Sequence, residues 1–165
     1  MNRKLKITIS EYTTYRILKG VLRAFQEIHS RKIIHRDFKE DNIFLDAYGV
    51  VKLGDFGCSK VIPEDPIRVT LKIGNRFYRA PEVQLCSEET ATSTSDIWGL
   101  GLLVLHLIAE EEFVAAQESQ ITNFNFHHID ELIDRKKKVD LIFRNKWPGW
   151  EGVIKKMLTI DPKKR

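Results

Sequence analysis

Three short blocks of this chain hold residues whose types and spacing could do chemistry. The first is His35-Arg36-Asp37-Phe38-Lys39-Glu40-Asp41-Asn42, the second Asp55-Phe56-Gly57 and the third Ala80-Pro81-Glu82. A carboxylate such as that of Asp37 is ionised at neutral pH and only accepts hydrogen bonds. It can therefore orient a hydroxyl and take its proton. Lys39 sets a cation two residues further on. Asn42 and Asp55 offer an amide oxygen and a carboxylate, the kind of donors a hard cation such as Mg2+ prefers. Gly57 lets the backbone turn sharply after Asp55. As an isolated pair, Asp37 and Asn42 would read first as turn and cap residues. The company of Lys39 and Asp55 is what favours chemistry.

These blocks need elements to position them. Ser10 is a candidate helix N-cap, and Leu18, Val21, Leu22, Phe25 and Ile28 follow at helical spacing, so the pattern predicts an amphipathic helix over 11–30. Ile43-Phe44-Leu45 and Val50-Val51-Lys52-Leu53 flank the turn-like set Asp46-Ala47-Tyr48-Gly49, which predicts a β-hairpin. The first block then lies between helix and hairpin, and Asp55 just past the second strand. Residues 57–81, with Pro63, Pro66, Gly74 and Pro81, read as a long loop, and loops of that length in a compact domain are usually functional. Helices are predicted over 95–109, 129–138 and 149–159. The fold class expected is mainly α with one small β-hairpin.

Length and composition bound the function. At 165 residues with 42% apolar and 30% charged residues, the chain suits one globular domain. Such a domain buries roughly 70% of the surface its unfolded chain exposes. A net charge of +4 is too mild to imply nucleic acid, and Arg135-Lys136-Lys137-Lys138 reads as a solvated helix end. Cys58 and Cys86 fit no metal spacing and point to reduced thiols in an intracellular protein, cytoplasmic with the nucleus as a further option. The apolar run Ile97–Ala109 is too short to span a bilayer, so no membrane association is expected, and MNRKLKITIS lacks the apolar run of a signal peptide.

In order and spacing, the three blocks resemble the signature set of the eukaryotic-type Ser/Thr protein kinases, and the resemblance covers nearly the whole chain. It implies a kinase-like large lobe, with the small β lobe absent. Residues 1–165 would be a partial kinase domain, with a catalytic loop at 35–42 and an activation segment at 55–82. ATP and Mg2+ are the cofactors so implied, and a protein Ser or Thr the substrate. Asp37 matches the catalytic base, Lys39 the cation that steadies the transferring phosphate, and Asn42 and Asp55 the metal ligands. Lys39, Asn42 and Asp55 together would hold the nucleotide. Asp96-Ile97-Trp98-Gly99-Leu100-Gly101 resembles the start of the family's buried central helix, where the aspartate bonds the catalytic-loop backbone. Glu82 and Arg165 match a structural ion pair. Arg36 resembles the pocket for a loop phosphate, with Thr70 and then Ser59 as acceptors.

The stretch Asn42–Leu45, with Val51–Gly57 and Ser59-Lys60, is most similar to NIMA-related kinases, whereas Arg76-Phe77-Tyr78-Arg79 resembles the cyclin-dependent and mitogen-activated branch. Glu40 stands where proline is common, and Asn75 where threonine is common. No Gly-rich loop precedes residue 35, and neither a Val-Ala-Ile-Lys strand nor a glutamate for the following helix can be assigned. The face where the small lobe packs should then be apolar, and a small-lobe or regulatory protein partner is a further expectation. Two functions stay open. One is a kinase catalytic lobe that is weakly active or inactive as this chain alone; the other is a pseudokinase-like interaction module without catalysis.

Overall fold

The computed structural model describes residues 10–62, 78–85, 91–108 and 149–165. Helix α1 covers Glu11–Ser30, as the apolar spacing predicts. The Ser10 hydroxyl accepts from the Thr13 backbone N–H at 3.1 Å, which satisfies one of the orphan donors of the first turn. Thr14, Leu18, Val21 and Phe25 form its buried stripe. The helix stops where Arg31 and Lys32 turn back their amides onto Ile28 and His29 carbonyls, with Lys32 in the left-handed region at φ 58°.

Strands β2 (Ile43–Leu45) and β3 (Val51–Leu53) form the expected antiparallel hairpin, with Ile43 opposite Leu53 and Leu45 opposite Val51. Asp46 shapes the turn by accepting from the Tyr48 and Val50 amides, and Gly49 supplies the positive φ of 72°. The hairpin rests on α1 at Gly20, where an added Cβ would lie 2.4 Å from the Val51 Cβ. No side chain fits between them.

The expectation of a single ribbon needs correction. Strands β1 (Ile33–Ile34) and β4 (Lys60–Val61) form a second antiparallel pair, prolonged by the Ile62 amide bonding to the Lys32 carbonyl at 2.7 Å. Two residues per strand are too few to show an alternating pattern. Helix α2 (Pro81–Leu85) begins where the long loop was expected to end, with proline in the first turn, where its missing N–H costs nothing. Helices α3 (Ser93–Ile108) and α4 (Glu151–Met157) match the expected elements within a few residues at their ends. The expected helix 129–138, the candidate acceptor Thr70, Asn75 and most of the long loop lie outside the described residues.

The core is built around α3. Trp98, Leu100, Leu102, Leu103, Val104 and Leu105 are all buried, against Val21 and Phe25 of α1 and Ile154, Met157 and Leu158 at α4. Burial of each such large side chain favours the fold by about 1.5–3 kcal/mol. Gly101 permits the approach of α4, since a Cβ there would stand 2.9 Å from the Met157 Cβ. Among the described residues, no helix is long and apolar enough to cross a membrane.

Candidate active site

The segment 35–42 leaves β1 and is fixed from below by Asp96, in the first turn of α3. One carboxylate oxygen of Asp96 accepts from the His35 amide at 2.9 Å, and the other accepts from the Arg36 amide at 3.0 Å. The first of these oxygens also meets His29 Nε2 at 2.8 Å. A buried carboxylate with this many donors is satisfied despite its burial. Asp96 therefore has the backbone contacts that the sequence resemblance implied. His29 was not legible from the sequence, where it is a lone histidine in the last turn of a helix.

Beyond this anchor the segment is cross-linked to the stretch that follows the hairpin. Arg36 takes a left-handed φ of 65°, and its Nε donates to the Cys58 carbonyl at 2.6 Å. The His35 ring meets the Gly54 carbonyl at 2.9 Å and packs edge-on against Phe56. Phe38 is buried against Phe25. The Ser59 hydroxyl donates to the His35 carbonyl at 3.4 Å.

Asp37, Asn42 and Asp55 are tied to one end of the hairpin by backbone geometry. The Asn42 side-chain NH2 donates to the Asp37 carbonyl at 2.8 Å, and the Asn42 carbonyl accepts from the Gly54 amide at 2.9 Å. Asn42 therefore links the Asp37 backbone to that of Gly54, the residue immediately before Asp55. Lys39 Nζ stands 3.7 Å from Asp37 Oδ2. Asp55 is exposed, sits in the left-handed region at φ 56°, and accepts from the Gly57 amide at 3.3 Å.

This donor set suits a hard divalent cation. Use of the Asn42 nitrogen on Asp37 leaves its amide oxygen as the group a cation would take, and Asp55 adds an exposed carboxylate. Among the described residues, no three His, Cys, Asp or Glu side chains cluster as a metal cage. A metal here would thus complete its shell with oxygens from water or phosphate, the habit of Mg2+.

On the hairpin, Phe44 is 53% and Leu45 60% exposed, and Tyr48 and Val50 are exposed as well. The Phe44 ring lies on Gly54, where a Cβ would meet it at 2.6 Å.

On the opposite flank, Arg165 and Glu82 form a bidentate pair, with Nη1 to Oε1 at 2.8 Å and Nη2 to Oε2 at 3.0 Å. The guanidinium also bonds the Thr94 and Thr159 carbonyls and stacks over Trp98 at 4.9 Å. The pair expected from sequence is thus present and buried. Tyr78 is buried. Burial first, and then the acidic Glu40 side chain, hold this phenol far above its usual range.

Comparison with known proteins places this arrangement. Residues 1–165 match the family described as the protein kinase domain. The serine/threonine-protein kinase CLA4 of Candida albicans is 40% identical over 111 residues, covering 67% of this chain and 11% of that protein. The probable serine/threonine-protein kinase nek2 of Dictyostelium discoideum is 31% identical over 172 residues, covering 99% of this chain and 37% of its own length. The serine/threonine-protein kinase PSK2 of Saccharomyces cerevisiae is 29% identical over 164 residues, covering 98% of the chain and 13% of that kinase. The chain thus spans between about a tenth and a little over a third of these curated relatives.

Proposed function

Because the chain belongs to the protein kinase domain family, we propose that it is the catalytic lobe of a Ser/Thr protein kinase. It would transfer the γ-phosphoryl group of ATP to a Ser or Thr hydroxyl of a protein. The observation that carries this reading is the cluster in which Asn42 bonds the Asp37 carbonyl while its own carbonyl holds Gly54 beside Asp55.

In this reading the Asp37 carboxylate accepts a hydrogen bond from the substrate hydroxyl, lines it up for attack and takes its proton. Lys39, close enough to Asp37 to sense the same substrate, places a positive charge against the transferring oxygens. The Asn42 oxygen and the Asp55 carboxylate would hold Mg2+, which when bound supplies the charge that neutralises the phosphate oxygens. Asp96 keeps the His35 and Arg36 amides fixed so that Asp37 does not wander from the line of attack. Positioning of this kind is worth roughly 7–11 kcal/mol. The similarity to nek2 along nearly the whole chain favours a NIMA-like kinase within the family. The free thiol of Cys58 favours an intracellular setting.

A second reading, an interaction module without catalysis, draws on the exposed apolar face at Phe44 and Leu45 and on the lack of a Gly-rich phosphate loop in the 165 residues. Phosphoryl transfer from labelled ATP to a basic protein substrate separates the two. We expect little turnover from these 165 residues alone, and turnover once a complementary small β lobe is fused to them. Asp37→Asn should abolish that turnover. A fusion that binds ATP and transfers nothing, or one in which Asp37→Asn transfers as well as the parent, refutes the kinase reading.

A further inference from the structure

Residues 12–26 of α1 hold the cations Arg16, Lys19 and Arg23 and no acid. All three are exposed, on the side of the helix away from the buried stripe of Thr14, Leu18, Val21 and Phe25. Spacings of three and four residues make them neighbours there, where like charges repel. The acids that could relieve them are engaged elsewhere. Glu11 accepts from the Trp150 indole at 2.9 Å, Glu27 pairs with Arg31, and Asp46 of the hairpin turn accepts from two backbone amides. Among the described residues no carboxylate pairs with Arg16, Lys19 or Arg23. A helix face that only meets water usually mixes both signs of charge. This one carries a single sign.

Apolar surface is interleaved with this charge. Tyr15 and Leu22 are exposed on the same helix, and the Lys19 ammonium sits over the Tyr15 ring at 5.6 Å. Arg16 joins the hairpin turn to the face, since its Nη2 donates to the Gly49 carbonyl at 3.4 Å. Tyr48, the neighbour of Gly49, is 89% exposed. A helix that lies in a membrane surface inserts an apolar face. In α1 that face is spent on the core, where Leu18, Val21 and Phe25 are buried. The outward side is left with too few apolar groups to enter a bilayer. It suits a partner that brings carboxylates and a few apolar side chains.

We propose that the outward face of α1, with the hairpin turn beside it, is a docking site for an acidic segment of a partner protein. Carboxylates of that segment meet Arg16, Lys19 and Arg23, and its apolar side chains pack on Tyr15, Leu22 and Tyr48. Charge complementarity selects the partner, because an acidic segment relieves the repulsion that the face carries alone and a basic one adds to it. None of these residues belongs to the segment 35–42 or to Asp55-Phe56-Gly57. The site therefore goes beyond the kinase reading, and it can be measured without turnover.

The test uses the 165-residue chain and a fluorescent synthetic peptide of glutamate and leucine residues, with binding read by anisotropy and mapped by NMR shifts. Shifts should concentrate on 12–26 and 47–49. Lys19→Glu with Arg23→Glu should weaken binding by at least about 10-fold, and Lys19→Gln with Arg23→Gln by less. Tyr15→Ser with Leu22→Ser should weaken it by about 5-fold. Added salt should weaken it as well. Lys163→Glu with Lys164→Glu makes the same change of net charge at exposed positions near the other end of the chain and should leave binding unchanged. An equal loss in that control pair would mean attraction to the net charge alone and overturns the proposal. So does the absence of binding, or equal binding of a lysine and leucine peptide. Tighter binding to phosphatidylserine vesicles than to the peptide would give the face to a membrane and overturns it too. Self-association that Lys19→Glu with Arg23→Glu abolishes, with peptide binding intact, would give it to a second copy and does the same. Failure of the phosphoryl-transfer assay would count against the kinase reading and leave these measurements intact.

Discussion

Removal of the Arg165 side chain should cost far more than its place at residue 165 of the chain suggests. The guanidinium is fully buried and makes two bonds to Glu82, and its Nη1 and Nε bond the Thr94 and Thr159 carbonyls at 2.9 and 3.0 Å. Arg165→Ala leaves the Glu82 carboxylate, 9% exposed, with the Ser95 hydroxyl at 3.1 Å in place of a cation. Loss of one partner of a buried pair costs about 3–5 kcal/mol, because the other charge stays desolvated. That is a large part of the roughly 5–15 kcal/mol that holds a domain together. With a urea slope of about 2 kcal/mol per molar, the unfolding midpoint should fall by about 1.5–2.5 M. Tryptophan fluorescence suits the assay, since Arg165 stacks on Trp98. Arg165→Lys should recover only part of the loss, for an ammonium cannot bond both carboxylate oxygens and the two carbonyls as the fork does. Replacement of both partners, Glu82→Met with Arg165→Met, should be closer to the parent than Arg165→Ala alone, since no buried charge is then stranded. If the Arg165→Ala midpoint lies within about 0.3 M of the parent, the residue is frayed in solution and the reasoning fails.

Asp96→Asn keeps the shape of the carboxylate but turns one acceptor into a donor facing an amide or His29. A loss of about 1.5–3 kcal/mol is expected, with faster exchange of the His35 and Arg36 amides, and unchanged exchange there would refute the anchoring role. Tyr78 gives a pH signature. Its phenol is held above the usual value in the native state, while the unfolded chain ionises near pH 10. The native state therefore keeps a proton that the unfolded state releases, so stability is intact below about pH 10 and falls as pH rises above it. Tyr78→Phe should flatten that decline in urea titrations taken between neutral and alkaline pH. The apolar face predicts self-association at micromolar concentration, and Phe44→Lys with Leu45→Lys should reduce it in sedimentation velocity, while a monomeric parent chain would contradict the idea.

The sequence shows most where the cause of structure is local. Helix α1 could be drawn to its ends because a cap, Ser10, and an unbroken apolar stripe act within single turns. The hairpin was visible because Asp46 and Gly49 bring their own turn chemistry. The candidate catalytic residues were visible for a different reason, that their types and order follow a known signature. What stayed hidden depends on contacts across the chain. His29 meets Asp96 over 67 positions, and nothing in a helical histidine announces that bond. The β1–β4 pair is two residues wide and has no pattern of its own.

The backbone conformations at the site were hidden for the same reason, and they say what the hidden contacts are for. Lys32, Arg36 and Asp55 are the non-glycine residues with positive φ among the described residues, and all three lie in or close to the segment 35–42 or the hairpin. Each such residue costs about 1–3 kcal/mol and persists only where its surroundings over-determine it. Here the surroundings can be named. The Lys32 amide and carbonyl are bonded to His29 and Ile62, the Arg36 amide to Asp96 and its Nε to Cys58, and the Asp55 carboxylate to the Gly57 amide. The bonds from Asp96 therefore do more than satisfy donors. They hold the chain in a conformation it would otherwise leave, and that conformation carries Asp37 from the end of β1 to the hairpin, where Asn42 bonds its carbonyl.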